Sequence, residues 1–406
     1  MSAPPRLNLL VIAYYYPPEN TSGAARPARF ARYLPEAGVD CFVVARGRGA
    51  SAERTVYVEP GHGSRWREWV CRTAQRYALT VNERLEWAPA ALAACRAVLR
   101  EHTIDAVLST SPPLVTHLVA MELCRKQPIA WIADFRDPLC GNMSRRRRLD
   151  YDGWIERRIF ERASLCLANT DGLAEHWRAN HPGHAGKIRV AWNGFDPEET
   201  LPVAAGDPGA PRILLHTGSL YAERRPDPLL RALAELSRSG RISANDWKAV
   251  LLGSVEPASF AHCERERVEL ERAGLLEVRS EVVSRGEAAA AQASAGALVL
   301  LDITNRETSV QAPAKLFEYV RTGKPIVAWT ADGSPARRVL EQSGLDILCL
   351  PPQLPVEEAA ARLHAFLSRP PAAGQMSEEF RQRYDGRQQA LALAEEIRAA
   401  VRRTSM

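Results

Sequence analysis

Three groups of side chains in this 406-residue chain are of types and spacings that could do chemistry. The first lies in the stretch from Ser309 to Trp329. Pro313 fits the first turn of a helix, where its missing N–H is not needed. Leu316, Phe317 and Val320 fall on one face, which predicts that this face packs inward. Gly323 reads as the helix stop, with Pro325 just beyond it, and Ile326 to Trp329 as the start of a buried strand. A loop feeding a helix N-terminus, here Pro313, Ala314, Lys315 and Leu316, offers N–H groups that suit a phosphate. Glu318 is placed to accept hydrogen bonds from hydroxyls. Phosphate at the loop and sugar hydroxyls at the carboxylate together predict a nucleotide diphosphate ligand.

The second group is Asp134, Arg136 and Asp137, just past an apolar run at 129–133. Sites of α/β proteins gather at the carboxyl ends of strands, so catalysis or positioning of a second substrate is one reading. A structural ion-pair cluster is the other. The third group is Arg224 and Arg225, whose planar forks suit the oxygens of a diphosphate, or which are solvated surface charges. Gly23, Gly218 and Ser219 belong to loops that follow strands. A glycine there permits close backbone approach to phosphate or sugar, although a turn glycine would look the same.

These residues need a scaffold, and the apolar pattern supplies one. Leu7 to Tyr16 reads as a strand, broken by Pro17 to Gly23. A helix at 24–37 and a strand at 39–45 complete a βαβ opening. Further strands are predicted at 106–109, 129–133, 164–168 and 188–191, and helices at 65–79, 88–100, 113–124 and 151–162. Residues 201–211, rich in Pro, Gly and Ala, read as a linker. A second alternating series follows, with strands at 213–217, 249–252, 275–278, 297–301, 325–329 and 346–350. Helices are expected to fill the gaps, including 227–237, 256–273 and 356–367, and one long amphipathic helix at 377–403. The expectation is α/β: two doubly wound Rossmann-like domains, 1–200 and 212–376, facing a cleft, with 377–406 returning to the first domain.

Bulk properties exclude little. Hydrophobic residues at 46% and charged residues at 25% are ordinary globular values, and the net charge is +5. The eight cysteines show no metal or redox spacing, and Cys41, Cys166 and Cys349 sit in apolar runs, so a reducing cytoplasm is expected. No signal peptide and no apolar run of about 18 residues is apparent. Asp150-Tyr151-Asp152 has the spacing of some metal–nucleotide motifs but precedes a helix, where an acidic cap is the better reading. No metal site is expected. Arg145 to Arg148, with Arg157 and Arg158, is the densest positive patch: a solvated loop, or a seat for an anionic membrane surface. Trp66, Trp69, Tyr77 and Trp87 either dip into that interface or fill the core.

Taken in order, the motifs resemble those of the GT-B glycosyltransferases, specifically the retaining family 4 group. The segments concerned are Tyr14 to Arg26, Ser109 to Pro113, Asp134 to Pro138, Asn193-Gly194-Phe195-Asp196, Thr217 to Leu220 and Pro313 to Pro325. The resemblance implies transfer of a sugar from a UDP- or GDP-linked donor to a hydroxyl acceptor, with retention and without a metal or other cofactor. It implies that Glu318 holds the donor ribose, where the usual partner glutamate is replaced by Val310. Arg224 falls at a family lysine on the donor phosphates, Ser219 at a family arginine, and Arg136 near a family histidine at the reacting centre, followed by Asp137. The pattern Pro313, Lys315, Phe317, Glu318, Tyr319 matches a sub-branch. The acceptor would be a sugar, a lipid-linked or a small-molecule hydroxyl, in cell-surface polysaccharide or glycoconjugate synthesis, on the cytoplasmic side. Two rivals share the architecture: a nucleotide-sugar epimerase, and a non-catalytic nucleotide-binding protein. Nucleic acid is not an expected partner.

Overall fold

Strands buried on both faces are apolar at almost every position, and Leu9-Leu10-Val11-Ile12-Ala13 is fully buried in this way. The computed structural model describes residues 5–19, 21–49, 54–60, 73, 83–140, 151–202, 210–221, 224–303, 310–369 and 374–404. The chain divides into two compact units, Met1–Pro197 with Tyr384–Met406, and Glu198–Arg383.

The first unit holds strands β1 (Leu7–Ala13), β2 (Val39–Arg46), β3 (Thr55–Val58), β4 (Ala106–Ser111), β5 (Ala130–Phe135), β6 (Leu165–Ala168) and β7 (Ile188–Val190). They form one parallel sheet in the order β3-β2-β1-β4-β5-β6-β7. Its helices are α1 (Ser22–Tyr33), α2 (Ala88–Glu101), α3 (Val115–Leu123), α4 (Asp152–Arg162) and α5 (Asp171–Asn180). Chain direction across the sheet reverses between β1 and β4, which opens a crevice at their carboxyl ends.

The second unit repeats the plan. Strands β8 (Arg212–Thr217), β9 (Trp247–Leu252), β10 (Leu276–Arg279), β11 (Ala297–Leu301), β12 (Ile326–Trp329) and β13 (Ile347–Leu350) are parallel, in the order β10-β9-β8-β11-β12-β13. Its helices are α6 (Asp227–Arg238), α7 (Glu264–Arg272), α8 (Arg285–Ser294), α9 (Lys315–Arg321), α10 (Pro335–Glu341), α11 (Val356–Leu367) and α12 (Glu378–Tyr384), the last residue belonging to the first unit. Here the switch point lies between β8 and β11.

The expected helix at 256–273 is two pieces: a 3-10 turn at Pro257–Phe260, then α7. The terminal helix is also two, α12 and α13 (Gly386–Thr404), parted at Asp385. Asp385 accepts from the amides of Arg387 and Gln388, an Asp capping the start of α13. Ala390, Leu393, Ala394, Ile397 and Ala400 of α13 fill the first unit's core beside Leu9, Phe30 and Leu165. Asn193-Gly194-Phe195-Asp196 clasps this return. Tyr33 and Arg32 of α1 hold the Asp196 carboxylate, and Phe195 donates to the Tyr384 carbonyl at 3.0 Å. A Cβ at Gly194 would run into that carbonyl.

Trp87 is fully buried, its ring edge-on to Tyr14 at 5.4 Å, so it is a core aromatic. Trp66, Trp69, Tyr77, all but residue 73 of the helix expected at 65–79 and the patch Arg145 to Arg148 lie outside the described residues. Cys41 and Cys166 are buried, and burial pushes both thiols up to about 12. No helix among the described residues is long and apolar enough to cross a membrane.

Candidate functional site

At the switch point of the second unit, β8 ends on His216-Thr217 and turns through Gly218, whose φ of +111° few other residues tolerate. Three groups from α9 and α8 close on this turn. The Tyr319 hydroxyl accepts from the Thr217 amide at 2.8 Å. Gln292 donates to the Thr217 hydroxyl at 2.9 Å. The Lys315 amine donates to the Thr217 carbonyl at 2.7 Å and meets His216 Nε2 at 3.3 Å. A Cβ on Gly218 would stand 2.6 Å from Lys315 Nζ, so the glycine is what lets the amine reach the turn. Gly253, at the end of β9, packs its backbone against Gly218 in the same close manner.

Arg224 joins this group. It pairs with Tyr221 across a tight turn, and its guanidinium lies 5.3 Å from the Tyr221 ring centroid. Its charge bears on His216, Asp302, Lys315 and Tyr319. Burial first, then Arg224, hold the Lys315 amine well below the ordinary lysine range. An amine and a guanidinium thus crowd one turn at the carboxyl end of the central strand. Arg225 does not share the arrangement: it reaches Asp227 of α6 at 3.0 Å.

Glu318 lies one helical turn beyond Lys315, partly exposed, with Arg285 3.4 Å away. Arg285 also binds Glu199 at 2.9 Å, and Arg321 binds Glu199 at the same distance. Glu318 also acts on the Lys315 charge, raising the pKa of the amine against burial and Arg224. Pro313 and Ala314 precede α9 instead of entering its first turn. The amides of Leu316 and Phe317 bond to the carbonyls of Pro313 and Ala314 in a 3-10 turn. Those two amides are thus engaged within the turn itself. Leu316, Phe317 and Val320 are fully buried, as their spacing predicts. Ser219 is exposed beside the turn.

Two residues escaped the sequence reading. His216 looked like one more position of a buried strand. Asp302, just past β11, is nearly buried and accepts from Thr330 at 2.8 Å and from the Ile303 amide at 2.8 Å. Burial raises its pKa to about 6 against the pull of those bonds and of Arg224. Asp302 carried a signal, an acid at the end of an apolar run; His216 carried none.

In the first unit, Asp134 is fully buried at the end of β5. Arg26 of α1 grips it with a two-pronged bond, Nη2 at 2.6 Å and Nε at 2.9 Å, and Thr110 donates at 2.8 Å. Arg26 also donates to the Trp192 carbonyl at 2.8 Å. Both Asp134 oxygens are thus engaged by Arg26 and Thr110 in a buried ion pair. Arg136 sits two residues on and is partly exposed, its Nε bonded to the Ser111 carbonyl at 3.1 Å and its Nη2 to that of Pro112. A Cβ on Gly23 would stand 2.7 Å from Arg136 Nη1 and 2.9 Å from the Tyr15 ring. Gly23 and Arg136, distant in sequence, therefore share one close contact at the β1–β4 switch point. Asp137 is partly exposed beside Arg136 and raises its pKa, against the larger lowering by burial. Asp152 is buried in the first turn of α4. Among the described residues no group of three or more His, Cys, Asp or Glu is placed to hold a metal ion.

Residues 26–199 match the family model Glycosyltransferase Family 4, so the resemblance read from the motifs holds over most of the first unit. Solved structures give the fold of the whole. The lipopolysaccharide outer core galactosyltransferase WaaB, in its apo form, is similar at a TM-score of 0.61 and 14% identity, over 97% of this chain and 99% of that one. The Anabaena protein Alr3699/HepE, in complex with UDP and glucose, is similar at 0.60 and 14%, over 97% and 100%. UDP-GlcNAc 2-epimerase from Methanocaldococcus jannaschii is similar at 0.54 and 11%, over 96% and 99%. The chain has the GT-B fold, two Rossmann-like units with parallel sheets. A sequence comparison with curated proteins finds no match.

Proposed function

We propose that this protein transfers a sugar from a nucleotide diphosphate donor, UDP- or GDP-linked, to a hydroxyl acceptor with retention, without a metal. The observation that carries this is the convergence of Lys315 and Arg224 on the Gly218 turn, with Glu318 one turn further along α9. Breaking the bond between the sugar and the diphosphate leaves negative charge on the departing oxygen. An amine and a guanidinium fixed beforehand beside that oxygen stabilise the charge as it forms. The acceptor oxygen bonds to the anomeric carbon on the face the diphosphate leaves, and its proton passes to the departing phosphate oxygen. Glu318 accepts from the ribose hydroxyls, displacing Arg285 as it does so. Arg136 and Asp137 take the acceptor side, with Asp134 holding the strand end that carries them.

A place on the cytoplasmic face of a membrane, in surface-polysaccharide or glycoconjugate synthesis, is part of the proposal. Tyr151 and Trp154 of the α4 region are exposed aromatics, and Arg157 and Arg158 are exposed beside them. Aromatics among arginines suit an anionic interface.

The test is a thermal-shift panel of nucleoside diphosphates and nucleotide sugars on wild type and Glu318→Ala. One nucleotide raises the melting temperature of the wild type and acts less on the variant. Incubation with that sugar nucleotide alone, then with acceptors, separates transfer from epimerisation. Absence of any nucleotide effect on the wild type overturns the proposal.

A further inference from the structure

We infer that His216 is a positioning residue of the phosphate subsite, holding the Lys315 amine in one place and orientation against the Gly218 turn. The inference deepens the proposed function and rests on it.

The argument begins with the imidazole's two nitrogens. His216 Nδ1 lies 3.0 Å from the Val299 carbonyl of β11. A carbonyl only accepts, so Nδ1 carries the hydrogen and Nε2 presents a lone pair. The group 3.3 Å from that lone pair is the Lys315 amine, which therefore donates to it. Its second N–H goes to the Thr217 carbonyl at 2.7 Å. Once an anion restores its charge, the amine has a third N–H to give, and its direction is settled because two are fixed.

The imidazole stays neutral in this role. It is fully buried, and burial, followed by the Lys315 charge, holds its pKa well below 6.5, with Arg224 adding to the effect. A positively charged imidazole would turn a hydrogen toward the amine and repel it. His216 is thus an acceptor locked by its neighbour strand: β11 sets the tautomer, the tautomer sets the lysine, and the lysine faces the anion. A leucine would satisfy the strand equally well, as Leu214 and Leu215 do beside it. The polar residue at this central position has its explanation in Lys315.

Three substitutions separate positioning from packing. Glutamine reaches about as far as Nε2 and keeps an acceptor for Lys315. Asparagine reaches only about as far as Nδ1 and keeps the donor to Val299. Leucine keeps neither. Binding of UDP and of GDP is measured by calorimetry on wild type, His216→Gln, His216→Asn, His216→Leu, Lys315→Met and the double variant of Lys315→Met with His216→Leu. Affinity is expected to fall about tenfold in His216→Asn and His216→Leu and to fall less in His216→Gln. The double variant is expected to bind no more weakly than Lys315→Met alone, because His216 acts through the lysine. Equal binding by wild type and His216→Asn overturns the inference, as do losses that add in the double variant. Where His216→Leu fails to fold, the glutamine–asparagine contrast decides in the same way. If the wild type binds neither diphosphate, the functional reading falls and this one with it.

Discussion

At the scale of single residues, the chemistry of the second unit turns on how its charges are held. Asp302 gives a test with a definite sign. Its folded-state pKa, about 6, lies above the ordinary aspartate value, so its contribution to stability is present below about pH 4 and is lost as pH rises through 6. Above that the fold carries a buried, ionised carboxylate. Asp302→Asn removes the ionisation. The variant is expected to be more stable than wild type at pH 7.5, by on the order of 2 kcal/mol, with the gain shrinking toward pH 5. Urea unfolding at both pH values measures it, and a gain unaffected by pH would contradict the assignment. Lys315 runs the other way. Burial and Arg224 hold its amine low, and a bound anion beside it would restore the charge. Nucleotide binding is therefore expected to take up protons at alkaline pH, seen as a dependence of the binding enthalpy on the buffer. Lys315→Met should abolish the uptake. In the first unit, breaking the Arg26–Asp134 pair leaves a buried guanidinium without its carboxylate. Asp134→Ala is expected to cost about 3–5 kcal/mol of stability, which chemical denaturation reads directly.

At the scale of elements, the close-packed turns after β8 and β9 make a graded prediction. A Cβ at Gly253 would stand 2.6 Å from the Gly218 carbonyl oxygen, and φ there is +141°. Backbone cannot step aside, so Gly253→Ala is expected to destabilise by about 2–3 kcal/mol. At Gly218 the obstruction is the end of a flexible lysine, which can move. Gly218→Ala is expected to cost less stability, about 1–2 kcal/mol, but to weaken nucleotide binding more, since it pushes Lys315 off the turn. Melting curves with and without UDP check both halves. The same elements show what could be read beforehand. Parallel strands advertise themselves as short apolar runs, so all but the small β3, with its partly exposed Thr55–Val58, were legible in outline. Breaks within helices were not: Cys263 and Asp385 end or restart helices through local bonds that leave little mark on the apolar pattern. Nor were pairings across the sheet. Arg26 sits in α1 among other arginines, and only the folded chain brings it to Asp134, 108 positions away. Lys315 and His216 are 99 apart and meet for the same reason.

At the scale of the whole molecule, the groups proposed for the nucleotide all fall in one unit. His216, Gly218, Arg224, Lys315 and Glu318 lie within Glu198–Arg383, which has its own sheet and its own core from Leu214 to Leu367. The first unit depends instead on the chain's end, because α13 fills its core. Two truncations follow from that asymmetry. A chain ending at Arg383 loses the packing of Leu393 and Ile397 against β1 and α1, and its first unit is expected to lose cooperative unfolding while the second still melts. The excised segment 198–383 is expected to fold alone and to bind UDP or GDP within about tenfold of the full chain, since independent units keep their own contacts. It should transfer no sugar, lacking Arg136 and Asp137. Circular dichroism establishes that the fragment is folded, and calorimetry measures its affinity. A folded fragment that has lost nucleotide binding, beside a full chain that retains it, would show that groups outside 198–383 hold the diphosphate.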